Sequence, residues 1–165
     1  MSSSILPFAE AAADYCEWCE SPPGKDAVAE AARAVSHLSL LYHLAAELPL
    51  PDDIDDEFEP EGSDNDTWHA VAQRCAAMPF KYYSEVFDPH AVPGEEPIVH
   101  NLANDVADIH RDLIGGLELY RAGHVAEAQF DWRFTFEIHW GRHAVSALRG
   151  LHCWQAQQGF WGRSS

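Results

Sequence analysis

The stretch LANDVADIHRDLIGGLELY, Leu102–Tyr120, is the clearest indication of the fold. Its apolar residues recur every three or four positions, which is typical of one face of an α-helix. They are Leu102, Val106, Ile109, Leu113, Leu117 and Tyr120. Asn101 can cap this helix, and Asp105 suits the positive end of its first turns. We therefore predict a helix from about Asn101 that ends at Gly123.

A second long apolar stretch follows at once, from Val125 to about Gln155. Its apolar side chains would cover well over half of the helix circumference, which predicts a helix buried on several sides. We therefore expect this helix to lie at the centre of the fold. The short turn at Gly123 predicts that it packs antiparallel to the preceding helix.

Three further helices are predicted towards the amino terminus. The apolar spacing indicates helices over about Ser4–Glu20, Asp26–Leu48 and Thr67–Met78. Ser21–Gly24 separates the first two, and Pro49 ends the second. We therefore predict an all-α fold, a compact helical bundle of about four to six helices in a single domain spanning residues 1–165.

Two connections in this bundle are expected to be irregular. Residues 52–66 form an acidic loop, because many like charges there repel one another. Residues 79–97 form an irregular crossover rich in Pro and Gly. Within it, Lys81–Phe87 has the pattern of a short strand or an extended arm, but we expect no sheet because no partner strand is evident nearby. The tail 159–165 is expected to be loosely held.

The charge of the chain limits its partners. It carries 27 Asp and Glu against 10 Lys and Arg, giving a formal net charge of −17. Such a charge repels nucleic acids and anionic membranes, and it attracts cations or a protein partner with a basic surface. Neither a signal peptide nor a membrane span is evident, so a cytoplasmic location is expected. The oligomeric state is not indicated, since Phe160 and Trp161 suit either a dimer interface or a loose tail.

The four cysteines do not indicate a site. Cys16 and Cys19 lie close together, but Cys75 and Cys153 stand alone, so a second pair for a structural zinc site is lacking. In a reducing compartment we expect four free thiols, most of them behaving as small core residues.

Arg133 and Glu137 fall inside the apolar arc of the last long helix, one turn apart. A charge on a buried face is costly unless it is paired. Two interpretations follow. The two residues form a structural ion pair that joins this helix to a neighbour, or they mark a functional pocket in which Glu137 is a metal ligand or a base.

His139 and His143 are also one turn apart, at the edge of the same arc. Histidines at this spacing can bind one metal ion. The pattern Glu-x-His-x-x-x-His differs from the His-Glu-x-x-His of zinc proteases, because no Glu directly follows the first His. The alternatives are metal ligands and ordinary structural or solvated histidines.

Asp105, Asp108 and Asp112 form a carboxylate stripe on the preceding helix. Such a stripe can bind Mg²⁺ or Mn²⁺, or it can be a solvated edge beside Arg111. Antiparallel packing would bring it level with residues 134–146. A shared Asp, Glu and His site between the two helices is therefore an expectation of the topology.

Three stretches carry a resemblance to a known family: Tyr83–Pro89 (YSEVFDP), Leu102–Leu113, and Trp132–Val145 (WRFTFEIHWGRHAV). They are similar to a bacterial family known as domain of unknown function 5063. The resemblance implies a small all-α bacterial protein and no particular reaction. The family has Tyr or Trp at the position of His110, which argues against a shared role for that residue. The matched positions include Asp105, Asp108, Asp112, Arg133, Glu137, His139, Trp140, Arg142 and His143.

Two functional hypotheses follow. The first is a non-catalytic binding or regulatory protein, in which Arg133 and Glu137 are simply paired and no pocket opens beside them. The second is a metal-dependent enzyme of hydrolytic type, with a divalent ion between the last two long helices. Its ligands would come from Asp105, Asp108, Glu137, His139 and His143, and it requires these groups to converge on one concave site. Asp112, Trp140 and Arg142 complete the candidate pocket.

Overall fold

The computed structural model describes residues 5–55, 57–58, 60 and 62–161, and the side chains of this set except those of residues 160 and 161. It is a helical bundle, as the sequence predicts. The six α-helices among the described residues are α1 (Ile5–Glu20), α2 (Ala27–Glu47), α3 (Asn65–Arg74), α4 (Leu102–Arg121), α5 (Val125–Thr135) and α6 (Gly141–Ala156). A 3₁₀ turn, Cys75–Ala77, follows α3, and π-helical turns follow α5 (Phe136–Trp140) and α6 (Gln157–Trp161).

Side-chain caps set the start of three helices. Asp26 accepts hydrogen bonds from the first backbone amides of α2, and Asp64 does the same for α3. Asn101 caps α4 through the amide of Ala103, as its position predicts. Gly123, with φ of 93°, provides the left-handed residue that ends the turn after α4. The helix boundaries therefore lie within a few residues of those predicted from these polar and turn residues.

Helix α4 lies at the centre of the bundle, where it packs against α1, α3, α5 and α6. The prediction that the last long helix would be central is wrong. Phe134, Ile138 and Val145 on that segment are exposed, Ile138 by 64%. Its apolar side chains are therefore divided between a buried face and a solvent-exposed face. The large apolar share of its circumference predicted more burial than the structure has.

The segment predicted as one helix over Val125–Gln155 is interrupted. The π-helical turn Phe136–Trp140 separates α5 from α6 and places one extra residue in the turn. The amide of Gly141 donates to the carbonyl of Phe136, five residues earlier. A Cβ atom at Gly141 would lie only 2.5 Å from that carbonyl oxygen, so this turn requires glycine there.

A small sheet corrects the expectation that Lys81–Phe87 has no partner strand. Strand β1 (Tyr82–Glu85) pairs antiparallel with β2 (Ile98–Asn101), with Tyr83 opposite His100. The partner strand is the end of the crossover itself, immediately before α4. The intervening residues 86–97 separate the two strands too widely for a hairpin signal in the sequence.

The packing of α4 against α5 places Trp132 directly over Gly116. A Cβ atom at Gly116 would lie 2.4 Å from the indole nitrogen of Trp132. That nitrogen donates a hydrogen bond of 3.0 Å to the carbonyl of Leu113. Cys16, Cys19 and Cys75 are buried in the core, Cys153 is exposed, and all four are free thiols.

Three of the features predicted above lie wholly or partly outside the described set of residues. Residues 56, 59 and 61 of the acidic loop, the side chains of Phe160 and Trp161, and residues 162–165 of the tail lie outside it. The described part of the acidic loop is non-helical as far as Asp64. Among the described residues, none of the helices has the length and apolar content needed to cross a membrane.

Candidate metal centre

Two imidazoles and one carboxylate converge between α4 and the α5–α6 segment. The ligand atoms of Asp108, His139 and His143 all lie within 4.8 Å of one another. The two histidine Nε2 atoms are 3.3 Å apart, and His143 Nε2 is 4.0 Å from Asp108 Oδ2. Two ligands on a tetrahedral zinc ion, each at 2.0–2.1 Å, lie about 3.3 Å apart. The histidine pair therefore has the separation of metal ligands, whereas Asp108, at 4.0 Å from His143 Nε2, would have to approach by about 0.7 Å to reach the tetrahedral separation.

Each imidazole is oriented by a second carboxylate. Nδ1 of His139 lies 2.5 Å from Asp112 Oδ2, and Nδ1 of His143 lies 2.8 Å from Asp105 Oδ1. A carboxylate that accepts from Nδ1–H leaves the lone pair on Nε2, the nitrogen that faces the other ligands. Such a carboxylate on the second ring nitrogen is the usual partner of metal-binding histidines.

Asp108 is oriented by hydrogen bonds to one of its two carboxylate oxygens. Its Oδ1 accepts hydrogen bonds from the indole of Trp68, at 2.9 Å, and from Arg111, at 2.7 Å. These contacts leave Oδ2 directed towards His143. Because one oxygen is occupied, Asp108 is arranged as a monodentate ligand.

Asp105 is the most deeply buried carboxylate of the group, with only 2% of its surface exposed. Its Oδ2 accepts a 2.6 Å hydrogen bond from the hydroxyl of Tyr83. Nδ1 of His100 lies 3.6 Å from Oδ1 of the same carboxylate. Strands β1 and β2 thus close one side of the site and hold the residue that orients His143.

Crowded carboxylates beside the imidazoles shift the pKa values of several groups at the site. The pKa of His143 is raised, mainly by its hydrogen bond to Asp105 and further by the neighbouring negative charges. Burial raises the pKa of Asp112, despite its contact with His139. Burial and the charge of Asp112 raise the pKa of Asp131 to about 6. The site therefore favours an added positive charge.

Glu137 is not part of this convergence. Its carboxylate forms a 2.6 Å ion pair with Arg133, which also donates to the carbonyls of Ala45 and Ala46 at the end of α2. The expected convergence of Glu137 with the two histidines is not seen, because Glu137 precedes His139 by two residues and so lies on the other side of the helix. Through Arg133 the pair connects α5 to α2, and 49% of the Glu137 side chain is exposed.

Trp140 and Arg142 also lie apart from the three ligands. Trp140 is completely buried in the core against Phe8 and Phe136. Arg142 stacks on Phe87, with its guanidinium 3.5 Å from the ring centre, and donates to the Phe87 carbonyl. A groove of about 420 Å³ does open beside Glu137 and Arg142. It lies on the α2 and β1 side of the segment.

Three residues of the site were not identified from the sequence. Trp68, Tyr83 and His100 come from α3, β1 and β2, and each contacts an aspartate of α4. Only Tyr83 lies in a stretch with a family resemblance. Nothing in the local sequence connects Trp68 or His100 with α4, because these contacts depend on tertiary packing.

Comparison with known proteins agrees with this fold. The chain belongs to the family described as Domain of unknown function (DUF5063), whose model matches residues 1–157. Protein BF1032 from Bacteroides fragilis has a similar structure, with a TM-score of 0.73 and 20% sequence identity over 92% of this chain and 95% of that chain. At this identity the similarity concerns the fold alone. No curated protein is significantly similar in sequence to this chain.

Proposed function

We propose that this protein binds one divalent transition-metal ion through Asp108, His139 and His143, and that the ion activates water for a hydrolytic reaction. The convergence of these three ligand atoms, with a second carboxylate on each imidazole, is the observation that supports the proposal. Imidazole and carboxylate ligands suit Zn²⁺, Fe²⁺ and Mn²⁺ better than Ca²⁺.

Three protein ligands leave coordination positions for water and substrate, which is typical of catalytic and not of structural zinc sites. The ligands are partly accessible, since the side chain of His139 is 40% exposed and that of Asp108 is 17% exposed. A bound ion lowers the pKa of a coordinated water and so supplies hydroxide near neutral pH. The excess of carboxylates would stabilise the cation against its desolvation.

The first test is the metal content of tag-free protein, measured by inductively coupled plasma mass spectrometry. We expect about one ion per chain, and at least a tenfold loss in His139→Ala and Asp108→Asn. Glu137→Gln and His152→Ala serve as matched controls, because Glu137 lies in the same turn as His139 and His152 is exposed on α6. Both controls should retain the ion, and circular dichroism should show that all four variants are folded.

Metal-free protein that shows no thermal shift with Zn²⁺, Mn²⁺, Fe²⁺ or Mg²⁺ would overturn this proposal. A shift is expected because an ion that binds only the native state raises its stability. Hydrolysis is tested separately with 4-nitrophenyl esters and phosphates, and turnover should disappear in His139→Ala.

A second candidate is a non-catalytic binding or regulatory protein. The net charge of −17 supports it, since that charge attracts a partner with a basic surface. A bound ion without turnover of any substrate class, together with salt-sensitive binding to a basic protein, would favour this candidate over the enzyme.

A further inference from the structure

A cavity of about 450 Å³ lies between α3, the 3₁₀ turn that follows it and the first turns of α4. Its apolar lining includes Trp68, Met78 and Phe80, and its polar lining includes Lys81 and Asn104. Cavities of this size with apolar walls and a few polar groups are typical of small-molecule sites.

The cavity adjoins the proposed metal centre. The indole of Trp68 forms part of its wall, and the Nε1–H of the same indole donates to Asp108, at 2.9 Å. Asn104 also lines it and precedes Asp108 by one turn of α4, so the two side chains share a helix face. A molecule in this cavity would therefore lie one indole ring away from a metal ligand.

The charge of the cavity differs from that of the chain. None of its described lining residues is Asp or Glu, although the chain has 27 acidic residues, whereas Lys81 is among them. Charges further away than about 8 Å are largely screened at physiological ionic strength. Asp108 lies just behind the Trp68 indole, but its charge is paired with Arg111, at 2.7 Å. The described lining itself therefore offers a ligand one cation, Lys81, and no carboxylate.

We infer that this cavity binds the organic part of the substrate, and that the substrate is a small aromatic compound with one negative charge. This inference rests on the proposed metal-dependent function. The ring packs against Trp68, Met78 and Phe80, and the charge pairs with Lys81. The group to be hydrolysed would extend past the Trp68 indole towards the ion, because none of the three proposed ligands lines the cavity. Aromatic walls supply most of the contact area, and the lysine supplies the preference for an anion.

The test uses 1-naphthoate as the probe and isothermal titration calorimetry on the full chain treated with EDTA. Binding is expected without metal, because the cavity residues do not include the ion's ligands. The cationic analogue 2-naphthylmethylammonium should bind about tenfold more weakly, and Lys81→Glu should weaken naphthoate binding to a similar degree. Equal affinity for both probes would overturn the assignment of an anionic ligand.

Ala76→Trp fills the cavity from its exposed rim and should abolish naphthoate binding. Ala70→Trp is the matched control, since Ala70 is exposed on α3 and lies outside the lining. No naphthoate binding to the wild-type chain, or binding that survives Ala76→Trp, would overturn the inference. Metal content is measured separately on the same samples, so failure of the cavity and failure of the metal site are distinguished.

Discussion

At the scale of single residues, the hydroxyl of Tyr83 determines how Asp105 is presented to His143. Tyr83 donates to Oδ2, and the other oxygen of Asp105 accepts from the imidazole. Burial and this hydrogen bond raise the pKa of Tyr83, so the phenol stays protonated and remains a donor throughout the physiological range. In the proposed metal site, Tyr83 would therefore be a positioning residue that acts on the ion through Asp105 and His143.

Tyr83→Phe should weaken metal affinity by about tenfold, because partners of this kind typically contribute 10- to 100-fold. The measurement is competition for Zn²⁺ against a chromogenic chelator. Tyr82→Phe is the control, since Tyr82 is exposed on the same strand and should leave the affinity unchanged. If both variants bind Zn²⁺ as the wild type does, the hydroxyl has no positioning role.

Part of this site could be predicted from the sequence, and the rest could not. Spacing on one helix relates His139 to His143, and Asp105 to Asp108 and Asp112, because side chains one turn apart share a face. The same spacing separates Glu137 from His139, which lie two residues apart and so on opposite sides of the helix, whereas the rotation of one helix against the other is determined by packing. The contacts of Trp68 and Tyr83 join segments that are distant in sequence, at separations of 40 and 22 residues from their partners.

At the scale of elements, the π-helical turn Phe136–Trp140 contains His139 and directly precedes α6, which contains His143. Glu137, in the same turn, pairs with Arg133 four residues earlier, as it would in a regular helix. Apolar periodicity predicted a continuous helix here, because one extra residue per turn leaves little trace in a 3.6-residue pattern. Gly141 was the one local signal, since its lack of Cβ accommodates the Phe136 carbonyl.

Gly141→Ala should destabilise the protein by about 2 kcal/mol, because a backbone oxygen at 2.5 Å from the new Cβ cannot move aside freely. Metal affinity should fall in the same variant, since the turn that holds His139 must distort. Urea unfolding and Zn²⁺ titration are the two measurements. Gly159→Ala is the control, as its Cβ would meet nothing within 4 Å. Unchanged stability in Gly141→Ala would show that the turn accommodates a Cβ atom, so that glycine is not required there.

At the scale of the whole molecule, the fold was predictable because caps and breakers mark most helix ends. Asp26, Asn101 and Gly123 each act as their residue types suggest. The central position of α4 was not predictable, since composition shows how apolar a helix is and not which helices surround it. The two-stranded sheet also depended on pairing across the crossover.

Stability should depend on pH through Asp131, a partly buried carboxyl of α5. Its pKa is raised from 3.8 to about 6 in the native state, so between these values the native protein binds more protons than the unfolded chain. The carboxyl's contribution to stability is therefore complete below about pH 4 and is lost as the pH rises through about 6.

Asp131→Asn removes this charge and keeps an amide oxygen as hydrogen-bond acceptor. In EDTA-treated protein we expect it to raise the free energy of unfolding by about 1 kcal/mol at pH 7.5, after allowance for solvent screening. The gain should shrink as the pH falls to 4.5. Urea unfolding of the wild type and the variant at both pH values measures this gain. An equal gain at pH 7.5 and pH 4.5 would contradict the raised pKa of Asp131.

The extra residue in the π-helical turn has a consequence for descent within the family. A deletion of one codon in this segment would restore a regular helix, and α6 would keep nearly its present faces, because the π-helical turn holds one residue more than an α-helical turn. Homologues with the same bundle can therefore differ in length by one residue here without repacking α6. Only the residues of the turn itself, His139 among them, would shift. A sequence comparison within the family should therefore place a one-residue gap inside Phe136–Trp140 and align His143 across that gap.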